Sequence, residues 1–376
     1  MTTPTELRVL QFCHGYDGPF LDCARQYASL FVGTPYKVTT VYLTGAPSVE
    51  VERGSASDEV VFLDYRSRDV RGLKLKAIRD IKGLVDGRNF QFCIAHRFKP
   101  IYVALLGTDL PVIGVHHGFG DYQRLSRKLF ANYFRKRLAL LGVSNAVRDE
   151  IRACLPNWPA ERIETLYNRI DIAAVQAEQV CRDDARAHLG LPQDAWVVGN
   201  VGRLHPDKDQ ATLIRGFAQA LPQLPAGSLL AIMGSGRLES SLKALAAELG
   251  VSTSVRFLGQ VAQGRRYFKA FDVFALTSDH EPFGMVLLEA MAAGVPVICS
   301  DCGGGREVVG ESEWLFALGS AQALGQRLVR MAIERPQSQS DFVEALHDRI
   351  VNMFSDPATR RVFWHLPMLQ GIAREQ

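Results

Sequence analysis

The chain has 376 residues, 47% hydrophobic and 22% charged, the balance of a water-soluble globular protein long enough for two or three domains. No apolar run reaches membrane-spanning length and the opening MTTPTELRVLQFC lacks the layout of a signal peptide, so a cytoplasmic location is expected. The net charge of +3 is uneven: residues 1–172 hold 24 Lys and Arg against 18 Asp and Glu and the remainder 19 against 22, which favours an anionic ligand or membrane surface at the first half.

Residues 7–13 form an apolar first strand that runs into HGYDGPF, where Gly15 and Gly18 supply a flexible turn before a helix over 20–31. The turn lacks a full G-x-G-x-x-G, which counts against a dinucleotide site there. Residues 37–43 and 60–63 are the next strands. Residues 73–85 carry Leu73, Ala77, Ile78, Ile81, Leu84 and Val85 at helical spacing, with Lys74, Arg79 and Lys82 turned away. Strands follow over 90–95, ending in His96, and over 111–115, ending in His116-His117-Gly118. This alternation implies a parallel sheet with helices on both faces, whose ligands bind past the carboxyl ends of the strands. A His there serves either a ligand or its own loop.

Residues 121–137, DYQRLSRKLFANYFRKR, hold six basic residues and one acidic, with Leu125, Leu129, Tyr133 and Phe134 at helical spacing. Two readings stay open. One is a surface helix docked through its apolar side, with a charged outer face. The other is a peripheral contact with an anionic membrane. No nucleic-acid module accompanies the basic run, so no nucleic-acid partner is expected. A strand over 138–143, a helix over 146–154 capped by Ser144 and a strand over 163–166 close the first half; 173–192 read as a linker with a short helix.

The pattern then restarts. A strand over 196–201 leads into GRLHPDK, which puts Arg203 and Lys208 at a carboxyl end as two fixed cations. Asp207 and Asp209 spell D-x-D, but Asp209 fits the start of a helix over 210–221 better than a metal site. A strand over 229–233 runs into Gly-Ser-Gly, a helix spans 238–249, and a strand over 255–258 ends at Leu258-Gly259. Residues 272–305, DVFALTSDHEPFGMVLLEAMAAGVPVICSDCGGG, read as strand, break, helix, strand and Gly-rich loop. Glu281 precedes the helix, which covers 284–293, and Glu289 lies among its apolar residues, where an unpaired carboxylate is costly. Between them the N–H groups of Phe283, Gly284, Met285 and Val286 form a helix N-terminus suited to phosphate. A diphosphate flanked by hydroxyl-bearing groups fits that layout. Residues 320–333 and 341–354 are helical by periodicity, with a loop over 334–340. Seven cysteines at irregular spacing fit reduced thiols, and the lone Cys299-x-x-Cys302 pair lacks a partner pair for zinc.

The run E-P-F-G-x4-E, followed by A-x-A-x-G-x-P-V, resembles the signature of the retaining glycosyl transferases group 1, of GT-B fold. The resemblance implies two Rossmann-like α/β domains facing across a cleft: 1–172 on the acceptor side, 173–354 on the donor side, and 355–376 crossing back to the first. It implies a nucleotide-diphosphate sugar, UDP- or GDP-linked, as co-substrate and no metal cofactor. Glu289 is then placed on the ribose hydroxyls, Glu281 on the sugar's 3- and 4-hydroxyls, and Leu258 at the base. Arg203, Lys208 and the amides from Phe283 through Gly284 and Met285 to Val286 meet the leaving diphosphate. His117 contacts the sugar, His96 matches a second family position, and Gly18 matches a loop that faces donor and acceptor. Residues 167–171 match the interdomain place, with Arg169 where the family has Gly. The implied reaction is hexosyl transfer to an anionic saccharide or a lipid-linked glycan, for instance in lipopolysaccharide core synthesis at the inner face of the cytoplasmic membrane. The same fold leaves open a nucleotide-sugar epimerase, a glycogen-type synthase, or a relative that binds nucleotide-sugar without catalysis.

Overall fold

A computed structural model describes residues 6–310, 313–333 and 336–374. The chain forms two compact units. One runs up to Asn168 and takes in the chain again from Thr359; the other is Arg169–Ala358. The first crossing lies just upstream of the helix Ile172–Glu178, which Asp171 caps by accepting from Ala174 N at 3.0 Å. The expected break after residue 172 therefore moves to the upstream side of that helix.

The N-terminal unit is a seven-stranded parallel sheet: β1 (Arg8–Cys13), β2 (Lys37–Thr44), β3 (Glu59–Tyr65), β4 (Phe90–His96), β5 (Val112–His116), β6 (Leu138–Gly142) and β7 (Ile163–Thr165). Their order across the sheet is β3-β2-β1-β4-β5-β6-β7. The C-terminal unit repeats the plan with β8 (Val197–Val201), β9 (Leu229–Met233), β10 (Val255–Gly259), β11 (Val273–Leu276), β12 (Val297–Ser300) and β13 (Leu315–Phe316), ordered β10-β9-β8-β11-β12-β13. Each sheet is thus doubly wound, as expected. Its strand order reverses between β1 and β4 in one unit and between β8 and β11 in the other, and that switch point is where such sheets hold ligands. Central strands such as β5, β6 and β9 are buried along their whole length, which is why they read as unbroken apolar runs.

Helices depart from the sequence reading where composition hides the period. The helix Phe98–Gly107 has no amphipathic signature: it is apolar on most sides and carries Pro100, tolerated because it lies in the first turn. The supposed linker over 173–192 holds two helices, Ile172–Glu178 and Arg182–Leu189. Arg186 of the second is buried and bonds Asp272 at 2.8 Å, and Asp272 also accepts from Val197 N at 2.7 Å. That bridge fixes the starts of β8 and β11, the two strands whose far ends carry the site. Gly303, Gly304 and Gly305 are not a loop but the first turn of the helix Gly303–Val309. Over 336–340 the expected loop is also overturned: a helix starts at Pro336, a residue preset for a first helical position, and runs to Met353, while Glu334 and Arg335 lie outside the described residues.

Two further expectations change. The helix expected over 73–85 begins at Leu75, after Lys74 in a left-handed conformation, and Leu73 is exposed. The helix Leu125–Tyr133 is docked, with Ala131 buried and Phe130 packed on Phe98 and Tyr102, but the expected stripe of Leu125, Leu129 and Tyr133 faces solvent. At the interdomain place neither Asn168 nor Arg169 adopts a positive φ, so the Gly-type turn is absent. Arg169 is buried instead and pairs with Asp356, while Ile170 N donates to Phe354 O at 2.9 Å.

Candidate active site

In the C-terminal unit the carboxyl ends of β8 and β11 supply two loops that knit together. Asp279 N donates to Asp207 O at 3.1 Å, and Thr277 Oγ1 donates to Lys208 O at 2.9 Å. These bonds place Lys208 Nζ 2.7 Å from Glu281 Oε2, and Ser278 Oγ donates to the same oxygen at 3.2 Å. Glu281 is 7% exposed, so the pair is largely withdrawn from water and its charges interact strongly. Arg203 belongs to the same loop but reaches outward. Its side chain is 72% exposed and meets Asp207 only at 3.5 Å, so it is available for a ligand. Asp207 also bonds His205 Nδ1, and Asp209 caps the helix Gln210–Ala220 by accepting from Thr212 N at 3.2 Å. Both carboxylates of the D-x-D thus have structural work.

Gly284, at φ 99°, turns the chain into the helix Met285–Ala292. A left-handed φ of that size is strained for any residue with a Cβ. The N–H groups of Met285 and Val286 lie in the first turn, where the helix offers them no acceptor. The loop before them is braced from behind. A Cβ at Gly304 would lie 2.4 Å from Pro282 O and 2.5 Å from Phe283 Cα, and one at Gly303 would lie 2.4 Å from Glu281 O. The glycines therefore let one helix turn touch the Glu281–Phe283 backbone directly, and Gly304 N donates to Glu281 O at 2.8 Å. Phe283 is buried against Phe354, so its contribution is its backbone.

Glu289 is half-buried rather than sunk in the core. It lines a cavity of about 670 Å³ with Glu178, Gln179, Gln263, Arg265 and Arg266, which resolves the difficulty of a carboxylate among apolar neighbours. Arg203, Lys208 and Glu281 do not line that cavity. Leu258 stands on β10, separated from β8 by β9; its neighbour Gly259 reaches the Arg203 loop indirectly, by accepting from Gly234 N at 2.7 Å. Cys299 and Cys302 are free thiols, and burial pushes both above the usual thiol range.

The equivalent place in the N-terminal unit holds imidazoles. His96 Nδ1 lies 3.1 Å from His117 Nε2, with the rings stacked at 5.3 Å. Burial, then the neighbouring His117, holds His96 well below the ordinary histidine range, and burial, then His116 and Arg97, takes His117 to about 3. His14, at the end of β1, is lowered to about 4 by burial and then by Lys99 and Arg97. His116 bonds Asp121 at 2.8 Å and Tyr122 at 3.2 Å. Gly18 is exposed at φ 60° just before the helix that begins at Phe20, whose ring packs edge-on to His117. Asp22 is occupied within its own helix by Arg25 at 2.6 Å and Gln26 at 2.7 Å.

Two family models match the chain in tandem: Glycosyltransferase Family 4 over residues 24–174 and Glycosyl transferases group 1 over residues 182–349. The C-terminal half of the chain thus matches the group 1 glycosyltransferases, and most of the N-terminal half matches the Family 4 model. It is 34% identical over 183 residues to the lipopolysaccharide core biosynthesis glycosyltransferase LpsE of Rhizobium meliloti, covering 48% of this chain and 52% of that one. It is 34% identical over 261 residues to a D-inositol 3-phosphate glycosyltransferase of Nocardia farcinica, covering 64% and 55%. The chain spans about half the length of such curated relatives. Anabaena Alr3699/HepE, solved with UDP and glucose, superposes with a TM-score of 0.74 at 21% identity, covering 96% of this chain and 98% of that one, which establishes the GT-B fold.

Of the expected site residues, the structure brings Lys208, Glu281 and the Gly284 turn together and leaves Leu258 and Glu289 at other addresses. Residues not singled out beforehand are Ser278, which shares Glu281, and His14, Arg97 and Lys99 in the N-terminal unit. Arg97 has φ 72°, an uncommon conformation for a side-chain-bearing residue. His14 was the one with a signal, a His directly after a strand.

Proposed function

We propose that this glycosyltransferase moves a hexosyl group from a nucleoside-diphosphate sugar, UDP- or GDP-linked, to an anionic saccharide or lipid-linked acceptor, with retention at the anomeric carbon. The observation that carries the reading is the Lys208–Glu281 pair at the switch point beside the exposed Arg203. Glycosyl transfer releases a nucleoside diphosphate, and preorganised positive charge stabilises that developing anion. Arg203 grips phosphate through two parallel N–H bonds and Lys208 acts as a point charge. The Gly284, Met285 and Val286 amides add the dipole of the helix start. Glu281 turns from Lys208 to the sugar's 3- and 4-hydroxyls, and Glu289 takes the ribose hydroxyls. His117 is the N-terminal unit's contribution to sugar recognition. The leaving phosphate accepts the acceptor's proton on the same face of the sugar, so no protein base is required.

An anionic acceptor agrees with the basic composition of the first half and with two relatives, a lipopolysaccharide core glycosyltransferase and an inositol 3-phosphate glycosyltransferase. A lipid-linked acceptor of an envelope glycan would draw the enzyme to the inner face of the cytoplasmic membrane. The deciding experiment is a thermal-shift panel of UDP-, GDP-, ADP- and CMP-sugars, followed by donor hydrolysis without acceptor. One class should raise the melting temperature, since a ligand at about 100 times its Kd adds about 2.7 kcal/mol, and should be slowly hydrolysed. No shift with any donor would overturn the reading; a shift without turnover would make the chain a binding module.

A further inference from the structure

We propose that the turn over residues 73–75 and the helix Leu125–Tyr133, far apart in sequence, form one face that seats the N-terminal unit on an anionic lipid bilayer. Leu73 is 67% exposed, Leu75 65%, Leu125 69%, Leu129 61% and Tyr133 82%. A single exposed leucine is ordinary, but five large apolar side chains gathered on one surface mark a contact.

They are gathered by a shared underlay. Lys74 Nζ sits 4.6 Å above the Tyr102 ring, and Tyr102 stacks on Phe130 at 4.9 Å. Phe130 also packs on Phe98 and Phe134, and Arg127 lies 4.4 Å from the Phe98 ring. Through Lys74 and Phe130 the aromatic stack joins the two segments, whose leucines stay exposed.

Charge names the occupant. Arg71, Lys74, Lys99 and Arg127 lie near enough to one another that Lys74 and Lys99 are both pushed below the usual lysine range, by burial first and then by the neighbouring cations. Arg124, Lys128, Arg135 and Lys136 extend the positive surface along and beyond the helix. The acidic residue of that stretch, Asp121, is committed to His116 and Arg127. Apolar side chains that insert at headgroup depth, ringed by cations that meet anionic headgroups, are the two components of interfacial binding. A soluble protein partner would be met better by carboxylates paired across the rim. The face lies outside the proposed donor site, so its function is independent of the glycosyl-transfer reading.

The test is co-sedimentation of the full chain with vesicles of phosphatidylcholine alone or mixed with phosphatidylglycerol, at low and high salt, with donor hydrolysis and light scattering run alongside. Binding to the anionic vesicles should exceed binding to the neutral ones and weaken with salt. Leu125→Ser with Leu129→Ser should weaken it by at least about tenfold, since two apolar side chains no longer insert; hydrolysis and melting temperature should not change. Lys74→Gln with Lys128→Gln should remove most of the lipid selectivity. Tyr133→Trp should report insertion as a blue shift of its emission on anionic vesicles. Equal binding to both vesicle types, or no binding, overturns the proposal. So does a leucine variant whose only effect is a change of oligomeric state, which would assign the face to a second copy.

Discussion

The carboxyl ends of β1 and β4 in one unit and of β8 and β11 in the other occupy equivalent places in sheets of the same winding. At β8 and β11 the side chains carry full charges: Lys208 against Glu281, with Arg203 beyond. At β1 and β4 they are imidazoles, His14 and His96, held in the neutral form by burial. The loops differ in the same way. Behind Glu281 two glycines, Gly303 and Gly304, bring backbone against backbone, whereas Gly118, after β5, would meet open space with an added Cβ. Topology chooses the address, and the residues there choose the chemistry. A neutral, adaptable wall suits recognition of a varied partner; a braced, charged wall suits stabilising one developing anion.

Removing the charge should break this contrast most sharply. Lys208→Met should lower turnover by about 10²–10³-fold, the range for losing one preorganised donor to developing charge. It also leaves the buried Glu281 carboxylate with Ser278 alone among the described residues, so the melting temperature should drop. Lys208→Met with Glu281→Gln should regain stability and stay inactive. Wild-type turnover in the single variant would end the assignment.

The bracing comes next. Gly304→Ala should cost about 1–3 kcal/mol in urea unfolding, because the new methyl has no room against Pro282 and Phe283. Gly118→Ala should leave stability unchanged, and equal effects at both positions would erase the distinction. Arg203→Ala, at an exposed side chain, should leave the melting temperature alone and lower kcat/KM by at least about tenfold, since even one of its two charged hydrogen bonds is worth roughly 1.5 kcal/mol. An unchanged kcat/KM would take Arg203 out of the site.

The smallest effect lies in the neutral wall. His14 and His117 titrate near 4 and 3 in the folded chain, below the 6.5 of a free imidazole. Below pH 6.5 the unfolded chain therefore binds more protons. The stability these rings contribute is complete above that pH and is lost as pH falls towards the folded values. Hydrogen exchange at pH 7 and pH 5 should show the N-terminal unit loosening, and His117→Asn should make the loss shallower. An identical pH profile in the variant would show that the ring is not held neutral by the fold.

Much of this was legible beforehand because buried parallel strands write themselves as apolar runs. β1, β2, β5 and β8 fall within a residue or so of their expected limits. That Lys208 and Glu281 meet beside an exposed Arg203 was legible because E-P-F-G-x4-E and the Arg203–Lys208 spacing are short and local. The helix Phe98–Gly107 was not, since an element apolar on most sides has no contrast to read. Nor were the roles of Ser278 and Gly304, which arise from contacts across a loop and a helix. The leucines of the helix Leu125–Tyr133 show the opposite failure: their spacing was right, but spacing does not say whether a stripe faces protein or solvent.

The N-terminal unit takes part of its interior from the far end of the chain. Phe363 is fully buried against Phe31, and Trp364 stacks on Tyr36 and donates from Nε1 to Leu30 O at 3.1 Å. During synthesis the first half therefore leaves the ribosome with a gap in its core, and the C-terminal unit is complete before the first can close. A nonsense mutation a few codons short of residue 363 would spare Arg203, Lys208 and Glu281 and still release a protein with its first unit unsealed, a substrate for proteolysis.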